Sequence, residues 1–455
     1  MQPDATRQSN TRIQRYVLLL ALLAMACGTN GIRQSESQGT VPPDPHIAAG
    51  IQFVLERVNH KMRAINKLTG VVTTMGTPNA CSGTIVDGQI VYDFLTNRFF
   101  EVHASNVGIL GFWCLAVTAT SDPTGSWLTY YLEADLESLP DQPTIGVDDS
   151  KVVLTGIHGG KTEILVLNKA DVLAGAASPR SQHLVASQEL FWLYRAVRPT
   201  SSTTNAYLLP NLSEPIMYLP GMKVNESPSS RMGMIYLRGT PGVGLGVQAL
   251  GATWNLSNSR RTPPAGADQG GSAALLDLAD TRPQDAVFRA GVIWVAMDGG
   301  CKPFGDPVER SCSYFDQFYV TGSPWETPFF MTHQQSLVFG TYGAFYYYPA
   351  VQIDAVGNLF AVMNRSAAYY NEYPAIYATG QRFGHQGLIG PYRLRASATP
   401  YYPGVGGCCL RWGDYSGAAL DAADPSVVWF AAEYAIGPQE WGTWIVRLTA
   451  ADAPS

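Results

Sequence analysis

The sequence predicts an all-β fold, a single β-propeller of seven four-stranded blades, on three observations. Charged residues make up only 15% of the chain while Gly (45), Pro (30) and Tyr (23) are abundant, which suits many short strands joined by tight turns. One hairpin grammar recurs: an apolar run, a turn of Gly, Asp, Asn or Pro, and a second apolar run. Its turns fall near positions 50, 96, 149, 290, 356 and 423. A four-stranded sheet repeated at roughly fifty to sixty-six residues cannot bury both faces alone, so such sheets stack around an axis as blades.

In chain order, residues 1–26 read as a signal peptide. Arg7, Arg12 and Arg15 precede the apolar stretch Tyr16–Met25, and Ala24-Met25-Ala26 fits a small-x-small cleavage site. Residues 27–41, rich in Ser, Gln, Gly and Thr, read as a flexible tether, and 42–455 as one β-propeller domain. The hairpins are IAAGIQFVLERVN (47–59), IVYDFLTNRFFEVHA (90–104), IGVDDSKVVLTGI (145–157), VFRAGVIWVAM (287–297), VQIDAVGNLFAVM (351–363) and AALDAADPSVVWFAAEY (418–434). The gap from 149 to 290 is twice too long, and WLYRAVRPTSSTTNAYLLP (192–210) supplies a degenerate seventh hairpin. Six or eight units also fit, because 186–266 is weakly patterned. Second strand pairs follow at 111–119 with 127–133, at 161–169, at 233–239 with 247–254, and at 314–320.

Several segments carry a resemblance. Leu23-Ala24-Met25-Ala26-Cys27-Gly28 resembles a bacterial lipoprotein box, with Met25 the departure from it. This implies lipidation at Cys27, the alternative being plain secretion with a leftover thiol. PPDPHIAAG (42–50), TSDPTGSW (120–127), YYYPAVQID (346–354) and WGDYSGAALDAAD (412–424) resemble signatures of exported bacterial β-propeller proteins, most without an assigned activity. Thr120–Trp127 also resembles the Asp-box turn of sialidase-type propellers, with its Gly displaced by one position. That turn stabilises a blade and implies architecture only.

Seven cysteines leave six to pair once Cys27 is lipidated. Cys301 and Cys312 bracket a Gly/Pro insertion that suits a local disulfide, and Cys81 with Cys114 is a second candidate pair. Cys408 and Cys409 are adjacent, either a vicinal disulfide or two thiols. No cysteine spacing or neighbouring His points to a metal site.

In a propeller, residues just before each inner strand converge at one mouth of the central channel. Those positions hold Asp44, His46, Asp87, Asp141, Gln284, Asp285, Tyr347, Tyr348, Asp414 and Tyr415, with Arg411 beside them. Carboxylates held close raise one another's pKa, as general acid catalysis requires, or share a hard cation such as Ca2+. Tyr faces suit sugar rings. Against this, acids at strand starts commonly satisfy backbone N–H groups. Gly242–Ala249 contains a G-x-G-x-x-A pattern, but its flanks read as strands, so a glycine-rich turn is expected. H-E-x-x-H, G-x-S-x-G and phosphate-loop motifs are absent. A sialidase-type arginine triad is not apparent, Arg289 being the only other good candidate beside Arg411.

The expected function is an exported, lipid-anchored propeller binding a glycan or protein ligand at one channel mouth. The alternative is a carbohydrate-active enzyme, either a hydrolase using the mouth carboxylates or a lyase using Tyr347, His46 and Arg411. A net charge of −6, a pI near 5.7 and no basic stripe argue against nucleic acid. No apolar run of spanning length follows the N-terminus, so membrane contact is expected only through the lipid anchor. A monomer is expected, with no cofactor beyond a Ca2+ ion.

Overall fold

A computed structural model of the chain describes residues 28–452 except 79–82, 108–109, 136–139, 159–160, 186–193, 211–216, 220–221, 225–230, 254–265, 279, 322–329 and 404–409. Seven four-stranded antiparallel sheets are arranged in a ring, so the chain is a seven-bladed β-propeller. Blade 1 runs from the channel outward as His46–Ala49, Phe53–Val58, Lys61–Asn66 and Val72–Gly76. Blade 2 is Thr84–Asp93, Arg98–Val107, Leu110–Thr118 and Trp127–Asp135; blade 3 is Asp141–Val147, Lys151–His158, Lys161–Asn168 and Ser181–Val185. Blade 4 is Tyr194–Ala196, Asn205–Pro210, Arg231–Arg238 and Gly246–Thr253; blade 5 is Pro283–Arg289, Val292–Cys301, Arg310–Thr321 and Phe330–Phe339. Blade 6 is Phe345–Ile353, Leu359–Ala367, Glu372–Gln381 and Ile389–Ala396.

Blade 7 corrects the tether. Its inner three strands are Gly417–Leu420, Val427–Gly437 and Glu440–Thr449, and its outermost strand is Gly28–Arg33. That N-terminal strand pairs antiparallel with Glu440–Thr449, followed by a single turn of 3-10 helix, Gln34–Ser37. The segment is polar, yet its one apolar side chain, Ile32, is fully buried, and the Ile32 N–H donates to Glu56 of blade 1 at 3.0 Å. The first and last blades are therefore locked by the chain's own start.

Each blade interface has its own apolar cluster. Leu55 and Ile90 meet between blades 1 and 2, Val117 and Leu154 between 2 and 3, and Val166 and Leu208 between 3 and 4. Tyr236 and Val295 follow between 4 and 5, Trp294 and Met363 between 5 and 6, Val362 and Phe430 between 6 and 7, and Ile47 and Ala431 at the seam of 7 and 1. Strands buried on both faces read in the sequence as continuous apolar runs rather than alternating ones. Between blades 1 and 2 the cluster is crossed by a buried ion pair. Arg57 Nε lies 2.9 Å from Glu101, which also accepts from His103 Nδ1 at 2.8 Å. Gly88 makes room for it, since a methyl there would stand 2.5 Å from the Arg57 guanidinium carbon.

The Thr120–Trp127 turn lies between the third and fourth strands of blade 2, where Asp122 accepts from the Thr124 N–H at 2.8 Å and Trp127 donates to the Pro123 carbonyl at 3.0 Å. A disulfide joins Cys301 and Cys312 across neighbouring strands of blade 5. Cys114 is disulfide-bonded; Cys81, Cys27, Cys408 and Cys409 lie outside the described residues. Gly242 and Gly244 sit in a turn ahead of the strand Gly246–Thr253, as their flanks predict.

Because Ile32 is the apolar anchor of the closing strand, Ile32→Ala should cost about 3 kcal/mol in denaturant unfolding. A loss below about 0.5 kcal/mol, the size of an ordinary surface substitution, would show that the N-terminal strand does not close the ring.

Candidate functional site

All seven inner strands start on one face of the disc, and four of them carry a register shift near that end. These shifts lie at Val86/Gln89, Asp141/Thr144, Pro283/Asp285 and Tyr347/Ala350. Left-handed backbone accompanies them at Asp87 (φ 57°), Gln142 (φ 47°) and Tyr348 (φ 52°), and Asp44 (φ 49°) takes the same conformation just before blade 1. Each of the four is followed by Pro or Gly. A bulge bends its strand and re-aims side chains. Here it turns backbone N–H groups toward neighbouring blades, which answer with acceptors.

Those acceptors form a latch from blade to blade. Asp44 takes the Asp414 N–H at 2.8 Å, Asn59 takes Asp87 N–H at 2.7 Å, and Asp87 takes Gln142 N–H at 2.9 Å. Thr144 accepts from Ala196 N–H at 2.9 Å, and Asp298 accepts from Tyr348 N–H at 2.7 Å. The latch brings Asp44, Asp87 and Asp414 of blades 1, 2 and 7 together, with one carboxylate oxygen of each within 4.8 Å of the others. All three are buried. Arg411 donates to Asp414 at 2.8 Å and faces Asp277 at 3.6 Å. Asp141, exposed at the same end, interacts with Asp87.

Arg411, together with Arg282, which Asp280 already pairs, does not neutralise so many acids. Burial, then the Asp414 charge, pushes Asp44 up to about 8 against the opposing pull of Arg411. Burial, then Asp44, Asp414 and Asp141, holds Asp87 well above the carboxylate range. Glu433, on the second strand of blade 7, is raised by burial and then by Asp44, and it was not anticipated from the sequence. Its signal was hidden because the residue lies mid-strand, away from the strand starts.

The remaining candidates do not join this cluster. Asp285 sits deeper, paired with Arg198 at 2.7 Å and accepting the Val351 N–H at 2.9 Å. Arg198 enters the channel because blade 4's inner strand is only three residues long, after which Arg198–Pro199 pairs with blade 5. It donates across the channel to the Ala418 and Val351 carbonyls at 2.5 and 3.4 Å. His46 accepts from the Ile90 N–H at 3.3 Å, and burial followed by Arg198 and Arg195 holds its pKa well below the ordinary value. Tyr415 is buried against His46 and donates to Gly88 at 3.3 Å.

Tyr347 and Tyr348 offer no open ring face. A hairpin, Ala267–Gln269 with Ser272–Leu276, bridges to Leu410 and caps blades 6 and 7. Tyr347, Tyr348, Tyr401, Trp412 and Trp441 pack into an eighth apolar cluster beneath it. Tyr348 O–H donates to the Asp277 carbonyl at 3.0 Å. The expected sugar-stacking tyrosines are thus core. Arg289 lines a cavity of about 360 Å³ at the opposite mouth, with Arg198, Thr200, Ser201, Gln352 and Asp421, so it cannot act beside Arg411.

On the strand-start face, loops of blade 6 carry a group of exposed tyrosines, and Phe304 in a blade 5 loop is exposed there too. Tyr369 (65% exposed) and Tyr370 (50%) meet edge-on at 4.9 Å, and Tyr342 meets Tyr369 at 5.3 Å. Beside them lies a cleft of about 330 Å³ lined by Arg365, Tyr370, Glu372, Tyr373, Arg393 and Ser397.

No protein-family description matches the sequence, and no curated protein matches it. Among solved structures, the chain is similar to an alpha-L-arabinanase from Cellvibrio cellulosa at 10% identity over 77% of this chain and 95% of that one, with TM-score 0.32. It is similar to the Dos1 propeller at 7% identity over 93% and 95%, with TM-score 0.40. An alpha-L-arabinofuranosidase from Podospora anserina, solved with cellotriose, aligns at 7% identity over 90% and 98%, with TM-score 0.32. Likenesses this distant say nothing of chemistry.

The raised pKa of Asp44 has a signed consequence. Folded, the group keeps its proton up to about pH 8, against an ordinary value of 3.8. Between those values the folded state binds more protons, so this stabilising contribution is full below about pH 4 and is lost as pH rises toward 8. With divalent cations chelated, the Tm of the wild type should fall more steeply from pH 5 to 8 than that of Asp44→Asn. Parallel curves would contradict this.

Proposed function

We propose that this protein is an exported glycan-binding propeller whose ligand lies across the strand-start face, held by the tyrosines of blade 6. The observation that carries this reading is the ledge of Tyr342, Tyr369 and Tyr370 beside the polar cleft. Three phenol rings exposed to water form a rigid surface that is apolar on its faces and polar at its tips, the combination that sugar rings stack on. The cleft's volume fits a binding pocket, and Arg365, Glu372 and Arg393 supply hydrogen-bonding groups to fix orientation. Arg411 and Asp277, both part-exposed at the mouth, extend the polar rim toward the axis.

Binding is favoured over turnover by the fate of the mouth carboxylates. A glycosidase needs two carboxyl groups flanking an open substrate bond. Asp44 and Asp87 spend oxygens on backbone N–H groups, Asp414 faces Arg411, and all three are buried. The lyase reading loses its base, because Tyr347 lies in the cap and His46 deep in the channel. Lipid attachment at Cys27 belongs to the same proposal, with the disc held close to its anchor because the first strand starts at Gly28.

A glycan array probed with the purified chain tests the reading. Tyr369→Ala or Tyr370→Ala should weaken the best-bound glycan about tenfold, a loss of roughly 1.4 kcal/mol typical of a truncated aromatic anchor. Phe383→Ala, an equally exposed aromatic in a loop on the opposite face, should leave binding unchanged. Binding that ignores both tyrosines would overturn the site. Glycan turnover abolished by Asp414→Asn with the fold intact would replace binding with catalysis.

A further inference from the structure

We propose that Asp44, Asp87 and Asp414, with Glu433 beside them, form a binding site for a calcium-sized divalent cation at the seam where blade 7 meets blade 1. The geometry of the three aspartates is the first support. Two oxygens bound to one Ca2+ at about 2.4 Å stand at most about 4.8 Å apart. The chosen oxygens of Asp44, Asp87 and Asp414 satisfy that limit pairwise, at 4.8 Å or less.

Glu433 is the second and independent support. It is 2% exposed, and neither carboxylate oxygen has a hydrogen-bond partner among the described residues. The other buried acids of the channel wall are matched: Asp285 by Arg198, Glu101 by Arg57 and His103, and Glu56 by the Ile32 N–H and Thr443. Glu433 instead faces the cluster. A methyl placed on Gly413 would stand 3.2 Å from Glu433 Oε2 and 3.9 Å from Asp44 Oδ1, so both carboxylates face the side-chain-free Gly413, and Glu433, outside the 4.8 Å group of the aspartates, would reach the ion by turning toward it or through a water. A buried acid with no partner is costly, and a cation held by the neighbouring aspartates would offset that cost.

The donor set selects the ion. It is all carboxylate oxygen, which suits a hard cation and not zinc or copper. Its members come from three blades and are not held to an octahedron, which favours Ca2+ over Mg2+. Each carboxylate has about four lone-pair positions, so acceptance of the Asp414 N–H and the Asn59 amide by Asp44, of the Gln142 N–H by Asp87, and of Arg411 by Asp414 leaves room for a metal bond. Bound there, the ion would tie the first and last blades together across the seam.

The test uses the mature chain stripped with EDTA, desalted, and titrated calorimetrically with CaCl2, then MgCl2, with no glycan present. One Ca2+ should bind per chain with proton release, Mg2+ should bind more weakly, and Tm should climb with Ca2+ concentration. Glu433→Gln should weaken Ca2+ binding at least about tenfold while leaving the EDTA-treated fold intact, since Glu433 makes no hydrogen bond to lose. Asp122→Asn, in a turn on the opposite face, should bind as the wild type does. No saturable binding of Ca2+, Mg2+ or Mn2+ with no Tm shift would overturn the site, and so would wild-type affinity in Glu433→Gln. Failure here leaves the glycan reading standing, and failure on the glycan array leaves this site standing.

Discussion

Ring closure is the constraint on which this structure depends. Seven sheets around an axis leave a seam, and an open seam exposes apolar blade faces and an unpaired edge. The chain solves this twice. Gly28–Arg33 completes the sheet of blade 7, and Asp44 of blade 1 takes the backbone N–H of Asp414 at the start of blade 7. Gly417 allows the approach, since a methyl there would stand 2.7 Å from the His46 Cα. The acidic cluster is a consequence of that closure. Blades 1 and 2 bring carboxylates there as acceptors for backbone N–H groups of the neighbouring blade, and blade 7 brings Asp414, whose N–H Asp44 takes and whose carboxylate Arg411 pairs.

The charged arginines elsewhere in the channel are satisfied within the protein. Arg198 crosses the axis and ties blades 5, 6 and 7 through Asp285 and two carbonyls, and Arg195 donates to Pro283 and to Gln284. A buried ion pair of this kind adds little net stability over apolar packing, but removing one partner is severe. The seam cluster differs in being unbalanced. Four carboxylates outnumber the two arginines that act on them, Arg411 and Arg282, and Arg282 is already paired with Asp280, so the spot carries an excess of acid.

The inner hairpins were legible because strands buried on both faces leave continuous apolar runs, and their turns need Gly, Asp or Asn. Even blade 4 was found, since the interval rule pointed to 192–210 when its local pattern was poor. The strand Gly28–Arg33 was not legible: its residues alternate no apolar side chains, and its conformation is imposed by the free edge of Glu440–Thr449. Tyr347 and Tyr348 looked like ligand-facing rings because the capping hairpin at 267–276, just after the weakly patterned region, lies outside the repeated blade pattern. Convergence of Asp44, Asp87 and Asp414 followed from topology alone. Glu433 required coordinates, because nothing about a mid-strand acid distinguishes it until its partners are found missing.

The most direct measurement is a crystal structure from crystals grown in CaCl2, with anomalous scattering recorded and Tb3+ as a calcium substitute. A single peak lying between Asp44, Asp87 and Asp414, at about 2.3–2.6 Å from their oxygens and beside Glu433, is the predicted result. Carboxyl groups hydrogen-bonded directly to one another across the seam, with no peak between them, would contradict it.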